Sequence, residues 1–153
     1  MSDLQNKALQ YALKLLSYRG RSERELKDRM LMKGFSETVA LTTVDHLRNL
    51  GYVNDLSLAE ALTREAMAGR FFSRNGARSY LLTRGIPAEI VGTVCSRNRE
   101  EDLPNAQRYV EKKLRAMKMC PRETARRRLY SQLLRRGYTH ETITSVLRNI
   151  SLD

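Results

Sequence analysis

Arginine and lysine are the residues of this chain whose type and spacing could do chemistry. Near the C-terminal end come Arg122, Arg126, Arg127, Arg128, Arg135 and Arg136, with Glu123 the acid among them. Just upstream lie Arg108, Lys112, Lys113, Arg115 and Lys118, and further back Arg70, Arg74, Arg78 and Arg84. Such groups neutralise polyanions, by bidentate hydrogen bonds from guanidinium and by point charge from ammonium. The formal net charge is +11 over 153 residues. Residues 103–153 carry most of it, with 12 cations against 4 acids, while residues 54–102 balance 7 against 7. The attraction for an acidic partner, nucleic acid or protein, therefore concentrates in the last third. Twelve cations form the candidate interface: Arg70, Arg74, Arg78, Arg108, Lys112, Lys113, Arg115, Arg122, Arg126, Arg127, Arg128 and Arg135. Lys33, Arg84 and Arg136 read as last-turn cations that complement a helix dipole.

Other chemistries find little support. There is no Cys-x-x-Cys, no His-Glu-x-x-His and no phosphate-binding glycine loop. His46 and His140 are far apart and share no ligand spacing with Cys95 or Cys120. Cys95 falls at an apolar helical position and is expected in the core. Glu100-Glu101-Asp102 reads as a solvated connector. The expectation is a protein that is not an enzyme, with no cofactor and no metal. Two unframed cysteines and a polar N-terminus suit a reduced, cytoplasmic setting, and no apolar run is long enough to span a bilayer.

The elements that must position these cations come from a repeat. Lys33-Gly34-Phe35, Arg84-Gly85-Ile86 and Arg136-Gly137-Tyr138 recur at intervals of about 50 residues, a repeat-array signature. Met30-Leu31, Leu81-Leu82 and Leu133-Leu134 precede the glycine at one offset, and Leu26, Ala77 and Leu129 lie one turn earlier. Each copy reads as a helix with a buried stripe, a glycine in the left-handed conformation, and a second helix begun at Ser36, Pro87 or Thr139.

Taken in order, Leu4, Ala8, Tyr11, Ala12, Leu15 and Leu16 give an amphipathic first helix. Ser22 and Glu25 form a capping box that opens a helix to Lys33, and a third runs from Glu37 to Leu50. The second repeat places helices near Leu56–Gly69, with Leu62 and Ala66 inward, then from Ser73 to Arg84 and from Pro87 to Asn98. Gly76 weakens the middle one by about 1 kcal/mol, a cost that suggests close packing there. The third repeat opens at Leu103-Pro104 with Tyr109, Val110, Leu114 and Met117 inward. A basic helix follows from Pro121 to Arg136, and a last one from Thr139 carries Ile143, Val146, Leu147 and Ile150. The expected fold is all-α: three tandem three-helix, helix-turn-helix-like repeats at 1–53, 54–102 and 103–153, in an elongated, curved array. A base-reading role is disfavoured, since the third helices hold few cations: Arg48 against Glu37 and Asp45, Arg97 against Glu89, and Arg148 against Glu141.

These residues resemble the RecX family of bacterial recombinase regulators. The likeness rests on Ala12-Leu13-Lys14-Leu15-Leu16-Ser17-Tyr18-Arg19, Ser22-Glu23-Arg24-Glu25-Leu26, Lys33-Gly34-Phe35 and Leu50-Gly51-Tyr52-Val53-Asn54-Asp55, then Arg84-Gly85-Ile86 and Arg135-Arg136-Gly137-Tyr138. It covers nearly the whole chain, more loosely in the third repeat, and departs at Leu58, where family members usually carry Phe. The resemblance implies a modulator that lies in the groove of the RecA–DNA filament and inhibits ATP hydrolysis and strand exchange; a monomer is expected. It implies contact with single- or double-stranded DNA there, and supplies no catalytic residues. A DNA-binding module that competes for DNA is the alternative.

Overall fold

Short polar caps and glycine stops divide the chain into helices. The computed structural model describes residues 2–98 and 101–148. Ile150 and Glu100, named above, lie outside the described residues. Among the described residues there are nine α-helices and no strand: α1 (Asp3–Tyr18), α2 (Glu23–Lys33), α3 (Glu37–Asn49), α4 (Asp55–Arg64), α5 (Arg74–Thr83), α6 (Ala88–Arg97), α7 (Asp102–Ala116), α8 (Arg122–Arg135) and α9 (His140–Arg148). Glu65–Gly69 follows α4 as a π-helical turn. Ser2 with Gln5 and Ser22 with Glu25 form capping boxes, and Ser36 accepts from the Val39 N–H. Gly34, Gly85 and Gly137 all take positive φ, at 109°, 81° and 93°. After each, the next residue's N–H returns to the carbonyl of Met30, Leu81 or Leu133, which closes the helix end. No described helix is long and apolar enough to cross a membrane.

The chain forms two compact units. The first comprises Met1–Ala61 and Leu81–Val94. Its core joins Ala8, Ala12 and Leu15 of α1 to Leu26 and Met30 of α2 and to Ala40, Val44 and Leu47 of α3. The second comprises Leu62–Tyr80 and Cys95–Asp153. Its core is built from Ala106, Tyr109 and Val110 of α7, Leu129 and Leu133 of α8, Tyr138, and Ile143, Val146 and Leu147 of α9. Cys95 is buried, as its spacing predicts.

The apolar pairs before the glycines do not both face inward. Met30, Leu81 and Leu133 are fully buried, while Leu31, Leu82 and Leu134 are 39, 43 and 53% exposed. The reason is helical phase. Leu26, Ala77 and Leu129 lie four positions before the first member of each pair, on the same face, and the second member is turned 100° away.

Each unit contains the same junction, built from residues about 51 apart. In the first, the Ser22 hydroxyl donates to the Arg84 carbonyl at 2.6 Å, and the Glu23 N–H donates to Asp55 Oδ1 at 3.0 Å. In the second, the Ser73 N–H donates to the Arg136 carbonyl at 3.0 Å, and the Arg74 N–H donates to Asp102 Oδ1 at 2.9 Å. Carbonyls at the end of one helix thus meet donors at the start of another, satisfying groups that neither helix can satisfy alone. Arg84 and Arg136 are therefore structural rather than simple last-turn cations. Arg84 is buried and pairs with Glu25 at 3.0 Å; Arg136 lies over the Tyr109 ring at 4.3 Å.

Candidate functional site

Four basic residues at α8 and its C-terminal end divide between two faces of the helix. Successive helical positions are 100° apart, so Arg126, Arg127 and Tyr130 look one way while Gln132, Arg135 and Arg136 look nearly the opposite way. Leu129 and Leu133, both fully buried, separate them on the inner side.

The first face opens on a groove of about 450 Å³, where Arg126 and Arg127 meet Glu123, Tyr130, Ser131 and His140. There the Tyr130 hydroxyl and His140 Nδ1 are 2.6 Å apart. The second face opens on a cleft of about 440 Å³ lined by Arg70, Phe72, Tyr109, Lys113, Gln132, Arg135 and Arg136. This cleft contains four cations and no carboxylate. Among the described residues no acid pairs with any of the four.

Aromatic rings fix these cations in place. The Arg70 guanidinium sits 4.8 Å from the Phe72 ring centre and 5.3 Å from that of Tyr80. Lys113 Nζ is 5.8 Å from the Tyr109 ring, whose face also carries Arg136. Arg136 is further tied by Nε to the Arg70 carbonyl at 3.2 Å and by Nη1 to the Gln132 carbonyl at 3.2 Å. Stacking spends the flat face of the Arg70 guanidinium and leaves its edge donors for a ligand, whereas Arg136 has given Nε and Nη1 to backbone carbonyls. The Tyr109 hydroxyl donates to Gln132 Oε1 at 2.5 Å, which leaves the Gln132 amide NH2 for the cleft. Burial pushes the Tyr109 phenol up, and the neighbouring Arg136 and Arg135 charges pull it the other way.

The loop that brings Arg70 to the cleft is held from beneath. Phe71 has φ 57°, unusual for a bulky side chain. The Tyr138 hydroxyl donates to its carbonyl at 2.7 Å. Asn105, fully buried, donates to the carbonyls of Met67 and Phe72 and to the Tyr138 oxygen, at 3.0, 3.1 and 3.1 Å.

Of the twelve candidate cations, the structure thus brings Arg70, Lys113 and Arg135 together, and Arg126 with Arg127 apart from them. The rest join neither group. Lys112 lies 5.5 Å from the Phe71 ring, and Arg108 donates to Asn105 Oδ1 at 3.0 Å. Arg74 reaches the Asn98 carbonyl at 2.5 Å, and Arg128 Nη1 faces Cys120 Sγ at 3.8 Å. Arg78, Arg115 and Arg122 stand exposed on α5, α7 and α8. Charge alone did not reveal Phe72, Tyr109, Gln132 and Arg136 as part of the cleft. The available signal was their interleaving with cations at helical spacing, Tyr109 with Lys113 and Gln132 with Arg135 and Arg136.

Comparison with known proteins agrees with this architecture. Residues 8–47 match the model of the RecX first three-helix domain, and residues 100–147 match that of the third. A regulatory protein RecX of Amycolatopsis mediterranei is 29% identical over 143 residues, covering 93% of this chain and 82% of its own. That of Mycobacterium leprae is 29% identical over 150 residues, covering 96% and 87%. The crystal structure of RecX from Lactobacillus salivarius superposes with a TM-score of 0.73 at 19% identity over 97% of both chains, and a second RecX crystal structure with 0.75 at 18% over 96% of this chain and 74% of the other. With both domain models matched in sequence order and the fold shared end to end, the chain belongs to the RecX family of regulatory proteins.

Proposed function

We propose that this protein modulates the RecA recombinase by occupying the groove of the RecA–DNA filament, suppressing ATP hydrolysis and strand exchange in DNA repair and recombination. Membership of the RecX family carries the reading. The mechanism is steric and electrostatic: a basic helical module fills a groove lined by acidic protein and exposed phosphate, and hinders the changes that accompany nucleotide turnover. The reading takes the protein as a cytoplasmic monomer of three repeats, at 1–53, 54–102 and 103–153, acting without a cofactor and as a regulator rather than an enzyme.

A second reading, DNA binding that withholds DNA from RecA, is favoured by the acid-free cleft beside α8. The DNA-dependent ATPase of the host RecA, titrated with this protein at two DNA concentrations, separates the two. Inhibition well below one molecule per DNA site and insensitive to added DNA supports the filament-directed regulator. Inhibition relieved by excess DNA supports sequestration, and no inhibition overturns both.

A further inference from the structure

We propose that the turn Lys33-Gly34-Phe35 in the first unit is an open docking socket for the start of a helix from another protein. That helix carries serine or threonine at its N-cap and an acid three residues on. The inference goes beyond the regulator reading and does not depend on it.

The same turn occurs three times, and the chain fills two of them itself. The start of α2 sits on Gly85: Ser22 Oγ donates to the Arg84 carbonyl at 2.6 Å, and a Cβ built on Gly85 would meet that oxygen at 2.8 Å. The start of α5 sits on Gly137: the Ser73 N–H donates to the Arg136 carbonyl at 3.0 Å, and a Cβ built on Gly137 would meet Ser73 Oγ at 2.7 Å. In both, an N-cap serine lies against the glycine. Donors that open one helix thus meet carbonyls that close another, a contact that the two helix dipoles favour. Gly34 has the same positive φ, and Phe35 makes the same return bond to Met30, yet nothing lies within 4 Å of a Cβ built there. Arg84, Gly85 and Ile86 are buried, whereas Lys33 and Gly34 are exposed. Met32, 81% exposed, adjoins the open turn where the filled copies have Thr83 and Arg135, so an apolar side chain stands there for a partner to cover.

The filled copies specify the occupant. Both place serine at the N-cap. In the first, Glu25 follows Ser22 by three residues and pairs with Arg84 at 3.0 Å. Lys33 is the corresponding cation of the open copy. It lies 5.6 Å from the Tyr11 ring and makes no ion pair among the described residues. An acid at the third position complements it. A second copy of this chain does not supply such a helix. The starts of α2 and α5 are already docked, and the other serine or threonine caps lack the acid: Ser2 is followed by Gln5, Ser36 by Val39 and Thr139 by Thr142. Nor does the setting suit a polyanion, since Met1–Ala61 with Leu81–Val94 hold 10 cations against 9 acids.

The test is NMR of the isotopically labelled full chain, titrated with a synthetic peptide of residues 19–33, the segment whose Ser22 and Glu25 fill the Gly85 turn. The proposal expects saturable shifts of the Gly34 and Phe35 amide signals, with those of Gly85 and Gly137 unmoved. Gly34→Asn keeps the left-handed turn and puts a side chain into the socket. Lys33→Glu reverses its charge. Each should weaken the peptide by about tenfold or more, with circular dichroism melting to confirm the fold. Lys14→Glu, exposed on α1, makes the same charge change elsewhere and should leave binding as it is. A peptide carrying Glu25→Lys should bind the wild type weakly and recover its affinity on Lys33→Glu, which a merely structural role of Lys33 would not produce. Absence of shifts at millimolar peptide overturns the proposal, as do shifts spread equally over all three glycine turns or binding retained by Gly34→Asn. Self-association in sedimentation velocity that Gly34→Asn abolishes would give the socket to a second copy and overturn the partner helix. The peptide titration needs no RecA, so the ATPase measurement reads the regulator proposal separately.

Discussion

The Tyr138 hydroxyl reaches 67 positions back along the chain to the Phe71 carbonyl at 2.7 Å, and so fixes the loop that presents Arg70. Tyr138 is 2% exposed, and burial holds its phenol far above the ordinary value, so it stays a neutral donor throughout the accessible pH range. Tyr138→Phe keeps the ring and removes the hydroxyl. The Phe71 carbonyl loses its donor and Asn105 one acceptor, a loss of about 1–3 kcal/mol in stability. Denaturant unfolding should show that loss, and oligonucleotide titration a weaker DNA affinity, because a relaxed Phe71 no longer holds Arg70 over Phe72. Wild-type affinity in a destabilised Tyr138→Phe would separate the loop from the cleft.

Glu25 and Asp55 predict opposite responses to acid. Burial works to raise the Glu25 pKa, but Arg84, the Ser22 N–H and Arg19 outweigh it and hold the carboxyl below the ordinary value. A depressed carboxyl contributes stability that is present above its unfolded pKa and lost as pH falls through the folded one. For Asp55, burial dominates and Glu23 and Glu25 add to it, so its pKa is raised despite the Glu23 N–H. Its ionisation in the folded state lowers stability as pH rises from the unfolded pKa to the folded one. Glu25→Gln should cost about 1–3 kcal/mol at pH 7, a broken buried pair discounted for partial exposure, and flatten the acid limb of unfolding. Asp55→Asn keeps an acceptor for the Glu23 N–H and removes the charge, so it should be neutral or stabilising at pH 7. Equal losses in the two variants would contradict this assignment.

Leu81 and Leu82 are neighbours with different surroundings, 0% and 43% exposed. Leu81→Ala should cost about 2–5 kcal/mol, the range for a truncated core leucine. Leu82→Ala should cost under about 1 kcal/mol, as surface changes usually do. Thermal melting of the two variants decides the phase of α5 directly.

These leucines also show how far the sequence could be read. The glycine turns were legible because left-handed backbone has few chemical solutions, and Gly34, Gly85 and Gly137 all use it. The apolar pairs Met30-Leu31, Leu81-Leu82 and Leu133-Leu134 suggest by composition that both members are buried, and only the four-residue spacing to Leu26, Ala77 or Leu129 separates the buried first member from the exposed second. The division of the α8 cations follows from the same phase. By contrast, the Arg84–Glu25 pair spans 59 positions and Arg136 over Tyr109 links two helices, so neither is encoded in local spacing. The cleft was therefore half visible: its charge and the Tyr109–Lys113 spacing stood in the sequence, while the Arg136–Tyr109 stacking and the Asn105–Tyr138 support beneath it appear only on folding.

Gly76 is where the repeat junction is least tolerant. A Cβ built there would meet the Arg136 carbonyl oxygen at 2.1 Å, which is backbone and cannot turn aside, and one at Gly137 would meet the Gly76 nitrogen at 2.6 Å. The first junction carries Glu25 at the corresponding position and uses it to hold Arg84, so the glycine marks the closer of two otherwise similar contacts. Gly76→Ala should raise helix propensity in α5 and still destabilise, by about 1–3 kcal/mol or more, because overpacking a helix against a fixed carbonyl exceeds the propensity gain of about 1 kcal/mol. Gly34→Ala is the control. Unlike helical Gly76 it has a positive φ, and nothing lies within 4 Å of a Cβ built there, so it bears only the left-handed penalty of about 1–2 kcal/mol. If Gly76→Ala melts at or above wild type, the approach of α5 to the Arg136 carbonyl is looser than described. If it melts below Gly34→Ala and also weakens DNA binding, the junction sets the position of Arg136 in the cleft.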